Sequence, residues 1–247
     1  MREVMKAVAP KASRHRAPRT TASAGSYAGL ERSQLVDAAL GLLQEAGLEA
    51  LSTRRLAERL GVKSPALYWH VRDKNELLGL VADAICAHMT LPSKRLSFRR
   101  RLADIAWEYR RILLSYRDAP RLFADQAPTG PHRMRLYDAA IGAFLDAGFA
   151  PSIAVSMATF YRNYLLGMVA EETRQSSQKR SNPTGPTLAL GVELAALGGE
   201  AARYPNLHRV ASELVSIDSE TLFRIGLDVL LDGMQSRAPG KRRHEKT

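Results

Sequence analysis

Cysteine is almost absent: Cys86 is the only one in 247 residues. No intrachain disulfide can form, which suits a reducing compartment, and Cys86 is expected to pack as a small buried side chain. No stretch approaches the roughly 20 apolar residues that a membrane helix needs. Residues 1–29 lack the apolar segment of a secretory signal. A cytoplasmic protein with no membrane segment is the expectation. No run alternates apolar and polar residues as a half-buried strand does, so the fold expected is all-α. Gly-x-Ser-x-Gly, His-Glu-x-x-His and glycine-rich phosphate loops are all missing. The six histidines are scattered, with no two at metal-ligand spacing. Catalytic residues, a metal site and a cofactor are therefore not expected.

What is present is positive charge, unevenly placed. The formal net charge is +11. Residues 1–29 hold six Lys/Arg against Glu3, and residues 237–247 hold five against Glu245. Only +2 remains for residues 30–236, so the basicity belongs to the two ends. Residues 1–29, rich in Ala, Arg, Ser and Thr and without a period, read as a disordered basic arm. Residues 237–247 read as a basic tail. Such ends suit a polyanion; a merely solvated tail has the same composition.

From Leu30 onward the apolar residues recur at helical spacing. Residues 31–46 place Leu35, Val36, Ala39, Leu42 and Leu43 on one face before Gly47. Helices follow at 53–60, from 64 to about 70, and at 74–90. Longer ones are expected at 97–115, 131–147, 151–174, 187–201 and 218–236, with a short one at 119–125 and a polar loop from Arg174 to Pro186. The chain divides into residues 30–76 and a larger helical part, 77–236. No flexible linker separates them, and the boundary falls within the helix at 74–90.

The stretch "LSTRRLAERLGVKSPALYWHV", Leu51 to Val71, has the layout of a helix-turn-helix. Ala57 is small enough for two short helices to cross closely. Gly61 tolerates positive φ at the turn, and Val62 follows as an apolar plug. Ser64 is placed to cap the second helix and Pro65 to open it. A helix this short buries one stripe, here Leu67 and Val71, so Tyr68, Trp69 and His70 cannot all face inward. Exposed, they are suited to phosphate, sugar and thymine methyl, beside a helix N-terminus that favours phosphate. The alternative is an ordinary helix pair with Tyr68 and Trp69 in its core.

Extended to "LSTRRLAERLGVKSPALYWHVRDKNELL", the stretch closely resembles the DNA-binding domain of the tetracycline-repressor (TetR) family. "RRILLSYRDAPRLF", "NYLLGMVAEE" and "FRIGLDVLLDGM" are similar to the ligand-binding and dimerisation half of the tetracycline repressors, so the resemblance spans about 30–236. It implies that Thr53 and Arg54 meet phosphate and a base edge. It also implies that Ser64, Pro65, Ala66, Tyr68, Trp69 and His70 form the reading helix, and that Lys74 meets phosphate. Arg54 is the candidate for a bidentate guanine contact. Residues 30–76 hold seven Lys/Arg and seven Asp/Glu, so cations must gather on one face.

The expected helices at 151–174 and 218–236 are apolar nearly all round, which gives each a second surface to bury. Two such helices from each of two subunits would make a four-helix homodimer interface; a fully buried central helix would have the same composition. A two-fold dimer offers two reading helices to successive turns of a double-stranded operator. The same half is expected to hold a small-molecule effector among Trp107, Tyr109, Tyr116, Phe123, Met134, Tyr137, Phe160, Asn163, Tyr164, Met168 and Glu171, all of them residue types that a packed core also uses. Asn163 and Glu171 stand out as polar groups on an apolar helix.

The resemblance also implies a drug-bound magnesium held by a histidine, but Phe123 occupies that position and cannot ligate. Thr90 stands where a second histidine would be, with His88 nearby, and Ile105 replaces a drug-contacting asparagine. Glu171 matches the glutamate that assists through water. The effector expected is apolar or aromatic, bound without metal, and the function expected is an effector-released repressor. A ligand-independent architectural DNA binder is the alternative that the basic ends suggest.

Overall fold

A computed structural model describes residues 30–181 and 204–239. The basic arm 1–29, the expected helix 187–201 and the tail from residue 240 onward lie outside the described residues. Among the described residues every regular element is helical.

The first four helices are α1 (Arg32–Ala46), α2 (Thr53–Leu60), α3 (Ser64–Leu67) and α4 (Lys74–Ala87). Glu31 and Gln34 form a reciprocal capping box at the start of α1. The Ser52 hydroxyl accepts from the Arg55 N–H and begins α2. Gly61 ends α2 at φ 65°, ψ 24°, the left-handed conformation expected of it, and its N–H closes back on Ala57 and Glu58. Three details differ from the expectation: α4 ends at Ala87, with His88 as its C-cap, three residues short of the 90 expected. Lys63, not Ser64, is the N-cap of α3, and α3 is a single four-residue turn whose C-cap is Tyr68. The N-terminal dipole of a longer helix is therefore not available there.

The larger half contains α5 (Phe98–Leu114), α6 (Ala119–Asp125), α7 (Pro131–Asp146), α8 (Pro151–Ser181), α9 (Pro205–Arg209), α10 (Ala211–Ser216) and α11 (Ser219–Ser236). Helix α8 runs to Ser181, well past the 174 expected, because Gln, Lys and Arg are good helix formers and neither Gly nor Pro interrupts before Pro183. The short α9 and α10 were not anticipated.

One hydrophobic core runs through both halves, from Leu35 of α1 through Leu77, Val81 and Ile85 of α4 to Phe144 of α7 and Phe223 and Leu231 of α11. Helix α4 is common to both, packing on α1 and on α5, α6 and α7. Its joint with α7 is tight. Buried Asp83 on α4 accepts, through Oδ1, the N–H groups of His132 (3.0 Å) and Arg133 (2.8 Å), two of the unpaired donors that open α7. Gly130 caps α7 at φ 99°, so near Asp83 that a Cβ there would overlap the carboxylate. Ion pairs fasten other helices: buried Arg101 to Asp146 (2.6 Å) and Arg110 to Glu172 (2.6 Å).

Candidate DNA-reading face and effector cavity

The face formed by α2, α3 and the turn after α3 is built from exposed side chains on a buried base. Leu56, Ala57, Leu67 and Val71 are buried. Trp69 is 86% exposed and Tyr68 54%, so both lie on the surface and not in a helix-pair core. His70, Thr53 and Ser64 are half-buried, and Pro65, Arg54 and Lys74 are exposed. Ala66 departs from the expectation: at 5% exposure its methyl belongs to the interior and offers a duplex nothing.

The charge of this half resolves into pairs and remainders. Arg32 and Arg72 pair with Glu76, Arg54 with Glu58, and Arg59 with Glu45. The Arg59 guanidinium holds the Glu45 carboxyl below the usual carboxylate range, and the Arg72 backbone N–H, with its guanidinium, does the same for Glu76. Arg55, Lys63 and Lys74 are exposed and make no ion pair, which leaves their charge free on the α2–α4 side. The sequence reading passed over Arg55 and Lys63. Arg54 is not free in this state: its Nε donates to Glu58 Oε1 at 3.1 Å. An exposed pair of this kind contributes little and is readily exchanged for another acceptor.

A narrow cavity, partly open to solvent, lies among α4, α5, α7 and α8, with about 40 Å³ free to a water-sized sphere. Each long helix presents one stripe to it. From α5 come Ile105 and Tyr109; from α7 come Arg133, Leu136, Tyr137 and Ala140, at i, i+3, i+4, i+7; from α8 come Ala158, Tyr161, Arg162 and Leu165, at the same spacing. Phe123 of α6, Pro128 and Cys86 of α4 complete the lining. Burial pushes the Cys86 thiol up to about 12 and raises the Tyr109 and Tyr161 phenols, so all three stay protonated near neutral pH. The Tyr137 hydroxyl lies 2.8 Å from Thr159 Oγ1, and the Tyr161 hydroxyl donates to the Leu102 carbonyl.

Of the eleven expected effector contacts, Tyr109, Phe123 and Tyr137 line this cavity. The other eight do not. Trp107 packs edge-on against Phe223, 5.0 Å between centroids, with Arg110 over its ring. Met134 is 61% and Phe160 57% exposed. Tyr116, Tyr164 and Met168 are half-buried against the core, outside the cavity. Asn163 is exposed and accepts from Arg162 at 3.2 Å, while Glu171 is held by Arg174 and Gln175. Both polar groups find partners on their own helix, which removes the reason for aiming them at an effector. Arg133 and Arg162 were overlooked, although the signal was there: each is a cation on the apolar stripe of its helix.

A magnesium-chelated drug does not fit this lining. Phe123 is buried with no oxygen or nitrogen to offer, Ile105 is apolar, and His88 is exposed at the end of α4. Among the described residues no group of three His, Cys, Asp or Glu side chains is placed to hold a metal.

The cavity is tied to the reading face through Arg133, which is buried. Its guanidinium donates to the carbonyls of Ala127 (2.6 Å) and Gln126 (3.0 Å). The Gln126 side chain in turn donates to Asn75 Oδ1 (2.8 Å), next to Lys74 at the start of α4. A change at Arg133 thus reaches α4 twice, through Gln126–Asn75 at its first turn and through Asp83 in its middle.

Comparison with known proteins agrees with this division of labour. Residues 35–81 match the model of bacterial regulatory proteins of the tetR family, and residues 91–238 match the tetracyclin repressor-like C-terminal domain. The tetracycline repressor class A from transposon 1721 of Escherichia coli is 35% identical over 211 residues, covering 84% of this chain and 92% of the relative. Apo ActR of Streptomyces coelicolor superposes with a TM-score of 0.76 at 27% identity, over 85% of this chain and 96% of that one. ActR in complex with actinorhodin gives 0.74 at 27% identity, over 86% and 99%. No described helix is long and apolar enough to cross a membrane. A helix-turn-helix half joined by a shared helix to a cavity-bearing half, with matches along both, places the chain in the TetR family of bacterial transcriptional regulators.

Proposed function

We propose that this protein is a repressor that binds a two-fold DNA operator as a homodimer and is released by a small aromatic or apolar molecule in the α4–α5–α7–α8 cavity. The observation that carries the reading is the position of α4. Its first turn adjoins the reading face, its middle is clamped to α7 by Asp83, and Cys86 near its end lines the cavity. An occupant that moves α7 against α5 and α8 strains the clamp and changes how the reading face sits. The similar protein ActR is seen in complex with actinorhodin, which supports a small-molecule effector. The reading places the protein in the cytoplasm with its DNA.

Two-fold assembly is supported by the outer faces of α8 and α11. Ile153 and Phe160 of α8 and Leu222, Ile225 and Val229 of α11 are between 41% and 68% exposed. The two helices pack on each other and present one apolar surface, which a second copy would cover. Release needs differential binding: a thousandfold loss of DNA affinity corresponds to about 4 kcal/mol in favour of the released form.

Footprinting on the promoter beside the protein's own gene, with excess random-sequence DNA, tests this. The reading predicts two protected half-sites, lost when Tyr68 and His70 are both replaced by Ala in a protein that still folds. Equal protection of random DNA would support instead the ligand-independent architectural binder that the basic ends suggest.

A further inference from the structure

The two stripes of α7 and α8 that wall the cavity each carry one arginine, Arg133 and Arg162, and no carboxylate is among the lining residues. Arg133 is 4% exposed. A guanidinium removed from water normally finds a carboxylate, because an unpaired buried charge is costly. Here neither arginine forms an ion pair. The acid buried nearby, Asp83, spends its Oδ1 on the backbone N–H groups of His132 and Arg133. The Arg133 side chain has two backbone carbonyls and the Phe123 ring, 4.8 Å from Cζ to the centroid. That leaves three of its five N–H donors without a protein acceptor. Arg162 has a single contact, the Asn163 amide oxygen at 3.2 Å. Burial is the main influence on Arg133 and lowers its basicity from the free value, which marks a cation still short of a counter-charge. Tyr109, buried and held as a neutral phenol, adds an O–H donor on the third wall.

We infer that the effector is an aromatic anion, a ring system bearing a carboxylate or an ionised phenol, whose charged group sits between Arg133 and Arg162 while its rings lie against Phe123, Tyr109 and Leu165. The inference rests on the cavity being the effector site and narrows what fills it. Guanidinium–carboxylate bonds are the strong, directional kind, and at the buried Arg133 end of the cavity they gain further weight. The anion also explains how occupancy is felt. A new acceptor on the free donors of Arg133 draws the guanidinium toward it and loosens its hold on the Gln126 and Ala127 carbonyls, the first link toward Asn75 and α4.

The test is calorimetric titration of the full-length protein with 2-naphthoate and with 2-naphthamide, which match in shape and differ in charge, against wild type, Arg162→Gln and Arg133→Gln. Thermal melting checks that each variant folds; Arg162, which ties no backbone, is the informative one if Arg133→Gln does not. In wild type the acid is expected to bind at least tenfold tighter than the amide. In Arg162→Gln the ratio is expected to fall below about threefold with the amide unchanged. Equal or tighter binding of the amide to wild type would overturn the anion and leave the cavity reading standing. An acid preference untouched by Arg162→Gln would also overturn it, by placing the charged group elsewhere. Failure of both compounds to bind at millimolar concentration would remove the cavity as an aromatic site, and this inference with it.

Discussion

At the scale of single residues, surface aromatics and a buried thiol give opposite forecasts. Trp69 has almost nothing to lose on folding and much to offer a duplex. Trp69→Ala should lower operator affinity by roughly five- to a hundredfold in a mobility-shift titration, the equivalent of the about 1–3 kcal/mol typical of a specific contact. Its urea stability should stay within about 0.5 kcal/mol of wild type, as for surface changes generally. Cys86 is 1% exposed, and burial lifts its thiol from the ordinary 9.0 to about 12. The reactive thiolate at pH 8 is thereby depleted roughly a thousandfold. A thiol-disulfide reagent should leave native Cys86 nearly untouched and modify it promptly in denaturant. The sequence made the exposure of Tyr68 and Trp69 legible, because a helix of one stripe has no room for them. It did not make Ala66 legible, since nothing in composition says which way a methyl on a single-turn helix points. Nor did it show that Arg54 is tied to Glu58, although the i, i+4 spacing allowed it.

Among the elements, helix positions were legible wherever caps and glycines punctuate them, as at Ser52 and Gly61. Where the stop signal is only polarity, as after Arg174, the helix runs on to Ser181. The cavity was partly legible. Aromatic content pointed to Tyr109, Phe123 and Tyr137, but Met134 and Phe160 have the same chemistry and face outward; which face of α7 or α8 turns inward depends on packing that a one-dimensional pattern does not hold. The α4–α7 joint has its own forecast. Gly130→Ala places a Cβ on Asp83 at a positive φ, and should cost on the order of 1–3 kcal/mol in urea denaturation. The apolar face of α8 and α11 has another. Phe160→Glu, at a position already exposed within one chain, should leave the fold intact and halve the mass measured by light scattering, with loss of operator binding.

The whole molecule is a charge distribution as well as a fold. Among the described residues of the reading face, Arg55, Lys63 and Lys74 are unpaired cations, which would make six in a dimer. If all six meet phosphates, the logarithm of operator affinity should fall against the logarithm of salt with a slope of about −5. The basic arm 1–29, with its net +5, should steepen that slope, and its deletion should return it toward about −5 without altering the footprint. A slope near zero would mean that charge on this face does not reach DNA.

On the proposed mechanism, cavity occupancy and DNA binding are one equilibrium, linked through α4. Linkage is reciprocal, so the most direct measurement is the affinity of 2-naphthoate for the free protein and for the protein saturated with its operator DNA. Binding to the DNA complex is expected to be weaker, by the same factor that saturating 2-naphthoate lowers DNA affinity. Equal affinity in the two states, with the compound bound in the cavity, would contradict it.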